Sequence, residues 1–177
     1  MIEQQAITVG SLVDDLEHAG TTPDASALRS LAKTVAKLFG VDMDEVAILG
    51  LSAKHKNLAF VIPEKLASVG SIPLSSATAL AARTARERRP EIVNNFSTAR
   101  HATVFEGVPM GRDPGEMIQK IMSAPIVEGP RVRGVVQISR KGRSPGDAGP
   151  DFTQKDLAAL NSLSPFLCRF LKLCQPG

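Results

Sequence analysis

The sequence predicts an α+β domain in α/β/α-like layers, an antiparallel sheet flanked by helices. Three observations carry this. Strand-like segments follow one another without crossover helices, as at Glu45–Leu51 and Leu58–Pro63, which favours antiparallel pairing. The last third reads as a β-hairpin feeding a helix: Ile121–Val127, a turn at Glu128-Gly129-Pro130, Val132–Ser139, then a helix opening at Phe152-Thr153-Gln154-Lys155-Asp156-Leu157. Helical stripes bracket these strands, with Leu28, Leu31, Val35 and Leu38 on one side and Leu157, Leu160, Leu163, Leu167 and Phe170 on the other.

Each element has its own warrant. Residues 1–22 read as a leader, with mixed apolar spacing at Ile7, Val9, Leu12, Val13 and Leu16. A short helix over about 11–18 and a floppy leader both fit that spacing. Domain organisation is read as this leader followed by one domain over 23–174. Asp24 offers a helix N-cap and Gly40 a helix stop. Leu58, Phe60 and Ile62 alternate as a strand, joined to the preceding one by the polar loop Ser52–Asn57. A small-residue helix from Ala77 to Arg88 follows the cap-forming Ser75-Ser76 and stops at Pro90, and Ala77, Ala81 and Ala85 allow close approach to a neighbour. Glu91–Phe96 is a short strand ending in polar residues. From Ser97 to about Gly115 there is no periodicity, and a long irregular segment inside a compact domain is often functional. Pro165 should kink the terminal helix, whose apolar arc, widened by Phe166, Leu171 and Leu173, needs two surfaces to cover it. One is its own core; the other could be a twin subunit.

Composition narrows the function classes. The chain has 177 residues, 43% hydrophobic and 22% charged, close to an ordinary globular protein, and lacks Trp and Tyr. Net charge is only +3. The densest basic run, Arg83, Arg86, Arg88 and Arg89, sits at a helix end where cations suit the dipole, so the pattern points away from nucleic acid. Cys168 and Cys174 lie six apart in a helical pattern, which suits neither an intrahelical disulfide nor a zinc site. They read as small buried residues in a reducing compartment. No apolar run approaches a membrane span, and Met1-Ile2-Glu3-Gln4-Gln5 lacks a signal-peptide pattern. The expectation is a cytoplasmic protein.

Four pieces, in order from about Asp24 to Leu173, resemble a GAF domain, a relative of the PAS fold. They are the small-residue helix Ala79–Pro90, the strand Ile92-Val93-Asn94-Asn95, the segment Ile121-Met122-Ser123-Ala124-Pro125-Ile126-Val127, and Gly134-Val135-Val136-Gln137-Ile138 closing with Phe152-Thr153-Gln154-Lys155-Asp156. The resemblance implies an antiparallel sheet of five or six strands. Its terminal helices pack on one face, often as a dimer's bundle, and a pocket roofed by the irregular segment lies on the other. The resemblance implies a ligand drawn from cyclic nucleotides, tetrapyrroles, haem or amino-acid-like metabolites, or no known ligand. Of the cyclic-nucleotide set, Lys141, Phe152 and Asp156 match while Arg140 and Leu157 depart. A Lys-to-Asp bridge in that set fastens a loop to a helix. Covalent bilin attachment and methionine sulfoxide reduction both need pocket cysteines, and the only cysteines here fall in the last helix.

Candidate ligand-binding residues follow from position and chemistry. Arg100, His101 and Phe105 lie in the expected roof with Glu106, a set that reads more simply as a polar surface loop but that is also suited to an anionic or zwitterionic ligand. Asn94, Asn95 and Phe96 end a strand facing the expected pocket, where the asparagines serve a ligand or cap the strand. Ser123 and Gln137 interrupt apolar strands, so each faces either the pocket or water. Gly142–Gly149 lacks the ending and timing of a phosphate loop. Candidate dimer contacts are Leu28, Leu31, Val35, Leu38, Leu163, Leu167, Phe170 and Cys174. No catalytic elbow, zinc-protease motif or acidic metal cluster stands out, no cofactor is assigned, and no enzyme activity is expected. The sequence therefore reads as a sensory or regulatory domain of signal transduction. It would bind a small molecule, pair as a homodimer through its terminal helices, and meet a signalling partner. A ligand-free dimerisation or protein-interaction module is the alternative, and a small enzyme using the same pocket a third.

Overall fold

A computed structural model describes residues 2–52, 54, 56–98, 105, 108 and 110–174. Six strands form one sheet in the order β3-β2-β1-β6-β5-β4, every neighbouring pair antiparallel. They are β1 (Val46–Leu51), β2 (Asn57–Ile62), β3 (Ser71–Pro73), β4 (Glu91–Val93), β5 (Met117–Glu128) and β6 (Arg131–Gly142). The long β5–β6 hairpin runs from Glu128 opposite Arg131 out to Met117 opposite Gly142. It is longer at both ends than the alternation in sequence predicts, because the added residues, Gln119, Lys120, Glu128, Arg131, Arg140 and Lys141 among them, break the apolar pattern.

Four helices cover one face: α1 (Ile2–Ala19), α2 (Ala25–Phe39), α5 (Gln154–Asn161) and α6 (Ser164–Cys174). Their apolar stripes meet Val46, Ile48, Met122, Ala124, Ile126, Val136 and Ile138 in one cluster. In α2, the Asp24 carboxylate accepts from Ala27 N at 2.8 Å and Gly40 closes the helix at φ 63°. α1 is far longer than the expected 11–18. Val9 and Val13 are fully buried, Gly10 admits the Phe166 ring, and Arg169 of α6 pairs with Asp14 and Glu17. The terminal helix is bent by 45° between Asn161 and Ser164. Pro165 opens α6, where its missing N–H costs nothing.

The other face carries α3 (Glu64–Ala67) and α4 (Leu80–Glu87). α3 and β3 escape sequence reading because three or four residues carry no period. α4 starts later than the expected Ala77: the Ser76 hydroxyl accepts from Ala79 N at 3.1 Å, and Ala79 is still extended. β4 stops at Val93 because Asn94 turns out of the sheet. Its Oδ1 accepts from Phe152 N at 2.9 Å and its Nδ2 donates to Phe152 O at 3.1 Å, clamping the chain just before α5.

The loop-to-helix bridge implied for Lys141 and Asp156 is not formed. Asp156 completes a capping box with Thr153 at the start of α5, and Lys141 reaches Asp44 instead. The loop after β6 is held by other groups. Lys120 donates to Gly149 O and pairs with Asp151 at 2.9 Å, and Arg140 stacks 4.5 Å over the Phe152 ring.

Candidate functional site

Between the sheet and the α3–α4 side lies a cavity of about 390 Å³. Its floor is the sheet face opposite the terminal helices: Ala47 of β1, Phe60 of β2, Ile118 and Ile121 of β5, and Gln137, Ser139 and Lys141 of β6. The spacing of the β6 residues follows from pleating, which sends alternate side chains to one face. Leu66 of α3 and Leu80 and Ala81 of α4 form the walls. Phe105, Val108, Met110, Arg112, Asp113 and Pro114 close it from the irregular segment. The Phe105 ring sits 4.7 Å from that of Phe60, joining roof to floor.

One end of the cavity is strongly polar. A 3-10 turn, Met43–Glu45, precedes β1, and its capping box uses Glu45 Oε1 to accept from Asp42 N at 2.9 Å. Glu45 Oε2 accepts from Lys141 N at 2.6 Å. Arg112 enters this turn from the segment before β5. Its Nε donates to Asp44 at 2.6 Å, its Nη1 to Glu116 at 3.1 Å and its Nη2 to Asp42 at 2.7 Å, with Glu45 at 3.2 Å. Lys141 adds an ion pair to Asp44 at 3.2 Å. Burial pushes the Asp44 carboxyl upward, but the Arg112 hydrogen bond and the charges of Lys141 and Arg112 outweigh it and hold the group below the usual carboxylate range. The same contacts, led by the Asp44 hydrogen bond, raise Arg112 above its ordinary value. Asp42, Asp44 and Glu45 stand close enough to share a cation, but Arg112 and Lys141 already sit among them.

Beside this cluster, a buried hydrogen-bond chain links the cavity floor to α4. Thr84 donates its single hydroxyl proton to Leu80 O at 2.9 Å. Its 2.7 Å contact with Ser123 is therefore donated by Ser123, whose oxygen accepts from Gln137 Nε2 at 3.2 Å.

Of the residues singled out in the sequence, Phe96, Phe105 and Gln137 line the cavity. Asn94 does not, both ends of its amide being spent on Phe152, and Asn95 is an exposed turn residue whose carbonyl accepts from Thr98. Ser123 lies beneath α4 as a link in the hydrogen-bond chain and does not line the cavity. Arg100 and His101 fall outside the described residues. Of the expected dimer contacts, Leu31, Val35, Leu163, Leu167 and Phe170 point into the protomer's own core, with no more than 1% of their surface accessible, so they have none to give a partner. Leu28, Leu38 and Cys174 remain half-buried at the margin of that core. Sequence reading missed Asp44, Glu45 and Arg112. Arg112 lies in the irregular segment that the sequence singles out, and the Asp42-x-x-Glu45 capping pattern is a signal that could have pointed to Glu45.

A family model described as GAF domain matches residues 22–167. The chain belongs to the GAF family. Solved structures share its fold. The GAF domain of an Acinetobacter phosphoenolpyruvate-protein phosphotransferase is 15% identical with a TM-score of 0.67, the alignment covering 97% of this chain and 92% of that one. The free methionine-R-sulfoxide reductase of Neisseria meningitidis, in complex with its substrate, is 14% identical with a TM-score of 0.65 over 99% and 90%. Residues 122 to 287 of a methyl-accepting chemotaxis protein are 15% identical with a TM-score of 0.63 over 96% and 99%. No curated protein matches in sequence. This GAF domain has no single helix, among the described residues, long and apolar enough to cross a membrane.

Proposed function

We propose that this GAF domain is a sensory or regulatory module that binds a small molecule between its sheet and its roof. The observation that carries the reading is the cavity itself: about 390 Å³, walled by Phe60, Leu66, Leu80, Phe96 and Phe105, with polar groups gathered at one end. That size and that division of surface are usual for small-molecule sites. The named neighbours include a domain of a phosphotransferase and a segment of a chemotaxis protein, which favours a signalling role. A reductase among them keeps the enzymatic alternative in view. It is disfavoured because both cysteines lie on α6, in the helix layer, where burial pushes the Cys174 thiol up to about 11. Two free thiols also favour a reducing, cytoplasmic setting.

The test is thermal. A metabolite panel should contain compounds that raise the melting temperature of the protein, and Ala81→Phe, which fills the cavity from α4, should abolish the shift. A panel that never moves the melting temperature would remove the reading.

Homodimerisation through the helix layer is a second reading. It is supported by Ile7 of α1, which leaves 56% of its surface accessible, and by the half-buried Leu28 and Leu38. Such a dimer would let ligand binding act on a signalling partner if the ligand favoured one helix arrangement over another. Sedimentation should show a dimer that Ile7→Arg dissociates; a wild-type monomer at working concentration would exclude it.

A further inference from the structure

The polar end of the cavity has a chemical sign. Resting on the reading that the cavity binds a small molecule, we propose that its ligand is an apolar amine: a cationic, hydrogen-bond-donating head on an aromatic or aliphatic body.

The charges and acceptors at this end set that sign. Among the described residues, five carboxylates gather at this end, Asp42, Asp44, Glu45, Asp113 and Glu116, against three cations, Arg112, Lys141 and Arg143. Each of these cations already has a carboxylate partner. All three guanidinium nitrogens of Arg112 donate to carboxylates, the Lys141 ammonium donates to both the carbonyl and the carboxylate of Asp44, and Arg143 pairs with Asp113 at 2.8 Å.

Among the described residues, acceptors also remain on the cavity side. Arg112 takes Glu116 through Oε2, which leaves Oε1. Ser139 donates its hydroxyl proton to Glu45 O at 3.4 Å, so toward the cavity its oxygen can only accept. Gln137 is fixed by the proton order of the buried chain. Because Thr84 must donate to Leu80 O, Ser123 must donate to Thr84 and accept from Gln137 Nε2, which leaves Gln137 Oε1 as an acceptor.

A ligand carboxylate or phosphate would meet this surplus of negative charge, and the described cations nearest it are already paired with carboxylates. An ammonium would meet Glu116, Gln137 and Ser139 with its three donors, and its body would lie against Phe60, Phe96 and Phe105. The volume admits an indole or a six-carbon chain.

The test uses two matched trios with the full-length chain: tryptamine, indole-3-acetate and 3-methylindole; hexylamine, hexanoate and hexanol. Calorimetry and thermal shift should show the amine of each trio binding about tenfold or more tighter than its anion. Glu116→Gln should weaken the amine about tenfold and leave the neutral compound unchanged. It should keep the wild-type melting temperature without ligand to within a few degrees. Should Glu116→Gln unfold the protein, Gln137→Leu replaces it with the same expected weakening.

Anions or neutral compounds binding as tightly as the amines would overturn the inference and leave the cavity reading standing. An amine preference that survives Glu116→Gln and Gln137→Leu unchanged would overturn it as well. If none of the six compounds binds, the inference falls, and the metabolite panel decides the cavity reading separately.

Discussion

The two faces of the sheet are built to different standards. Beneath the terminal helices, Leu31, Ile48, Met122, Ile138, Leu160, Leu167 and Phe170 pack without accessible surface. On the opposite face, Leu49, Leu58 and Val135 are as well buried, yet a few ångströms away the packing opens into the cavity with its ion cluster. A single sheet thus serves as a core wall on one side and a site floor on the other. The difference teaches that this fold concentrates its stability in the helix layer and can leave room elsewhere.

Substitutions should expose that asymmetry. The largest effect is expected from Phe170→Ala in the helix layer, at about 3–5 kcal/mol of unfolding free energy by denaturant titration. Phe60→Ala on the cavity floor should cost distinctly less, because its ring already borders open volume. Equal losses would contradict the division of labour between faces.

Next in size is Arg112→Met. It removes the guanidinium from the Asp44 and Glu45 carboxylates, which are 15% and 8% exposed, and leaves them Lys141. Breaking a fully buried pair costs about 3–5 kcal/mol, and partial solvation here should reduce that to about 2. Arg112→Lys should recover part of it, since one ammonium cannot reproduce the fork.

Asn94→Ala should cost about 1–2 kcal/mol by removing the clamp on Phe152, and should leave ligand binding in the cavity unchanged. A loss of binding with stability intact would restore Asn94 to the site.

The smallest effect is a pH dependence. Asp44 titrates below its ordinary value in the folded chain, so the unfolded chain takes up its proton first as pH falls. Its contribution to stability is complete above about pH 5 and is lost as pH drops through the ordinary aspartate value near 4 toward the lower folded value. Asp44→Asn should therefore flatten the acid limb of a melting-temperature profile. An unchanged slope would show that Arg112 does not hold Asp44 ionised.

Much of the fold was legible because periodicity is a long-range signal. The stripe Leu28–Leu38 and the alternation Leu58, Phe60, Ile62 needed only one rule each. α3 and β3 were not legible, being shorter than any period, and α1 was under-read because Gly10 looks like a breaker until Phe166 is seen lying against it. The stripes themselves were over-read as partner surface, since the same Leu31 and Leu167 serve a sheet as well as a second helix. For the site, Phe96, Phe105 and Gln137 were found from their place in the chain, while the Asp44–Arg112 cluster joins residues 68 apart in sequence, which no local pattern reports. Asn94 shows the converse: an amide placed at a pocket's edge by its neighbours, but spent on backbone 58 residues away.

The chain of hydroxyls from Gln137 through Ser123 to Thr84 has a fixed polarity, and it ends on the carbonyl of Leu80, the first residue of α4. Hydrogen bonds in series polarise one another. A guest that draws on the oxygen of Gln137 tightens every later bond in the series, so the first turn of α4 should exchange its amide hydrogens more slowly when the cavity is filled. Occupancy would be felt as stiffness in a helix the guest need only brush against.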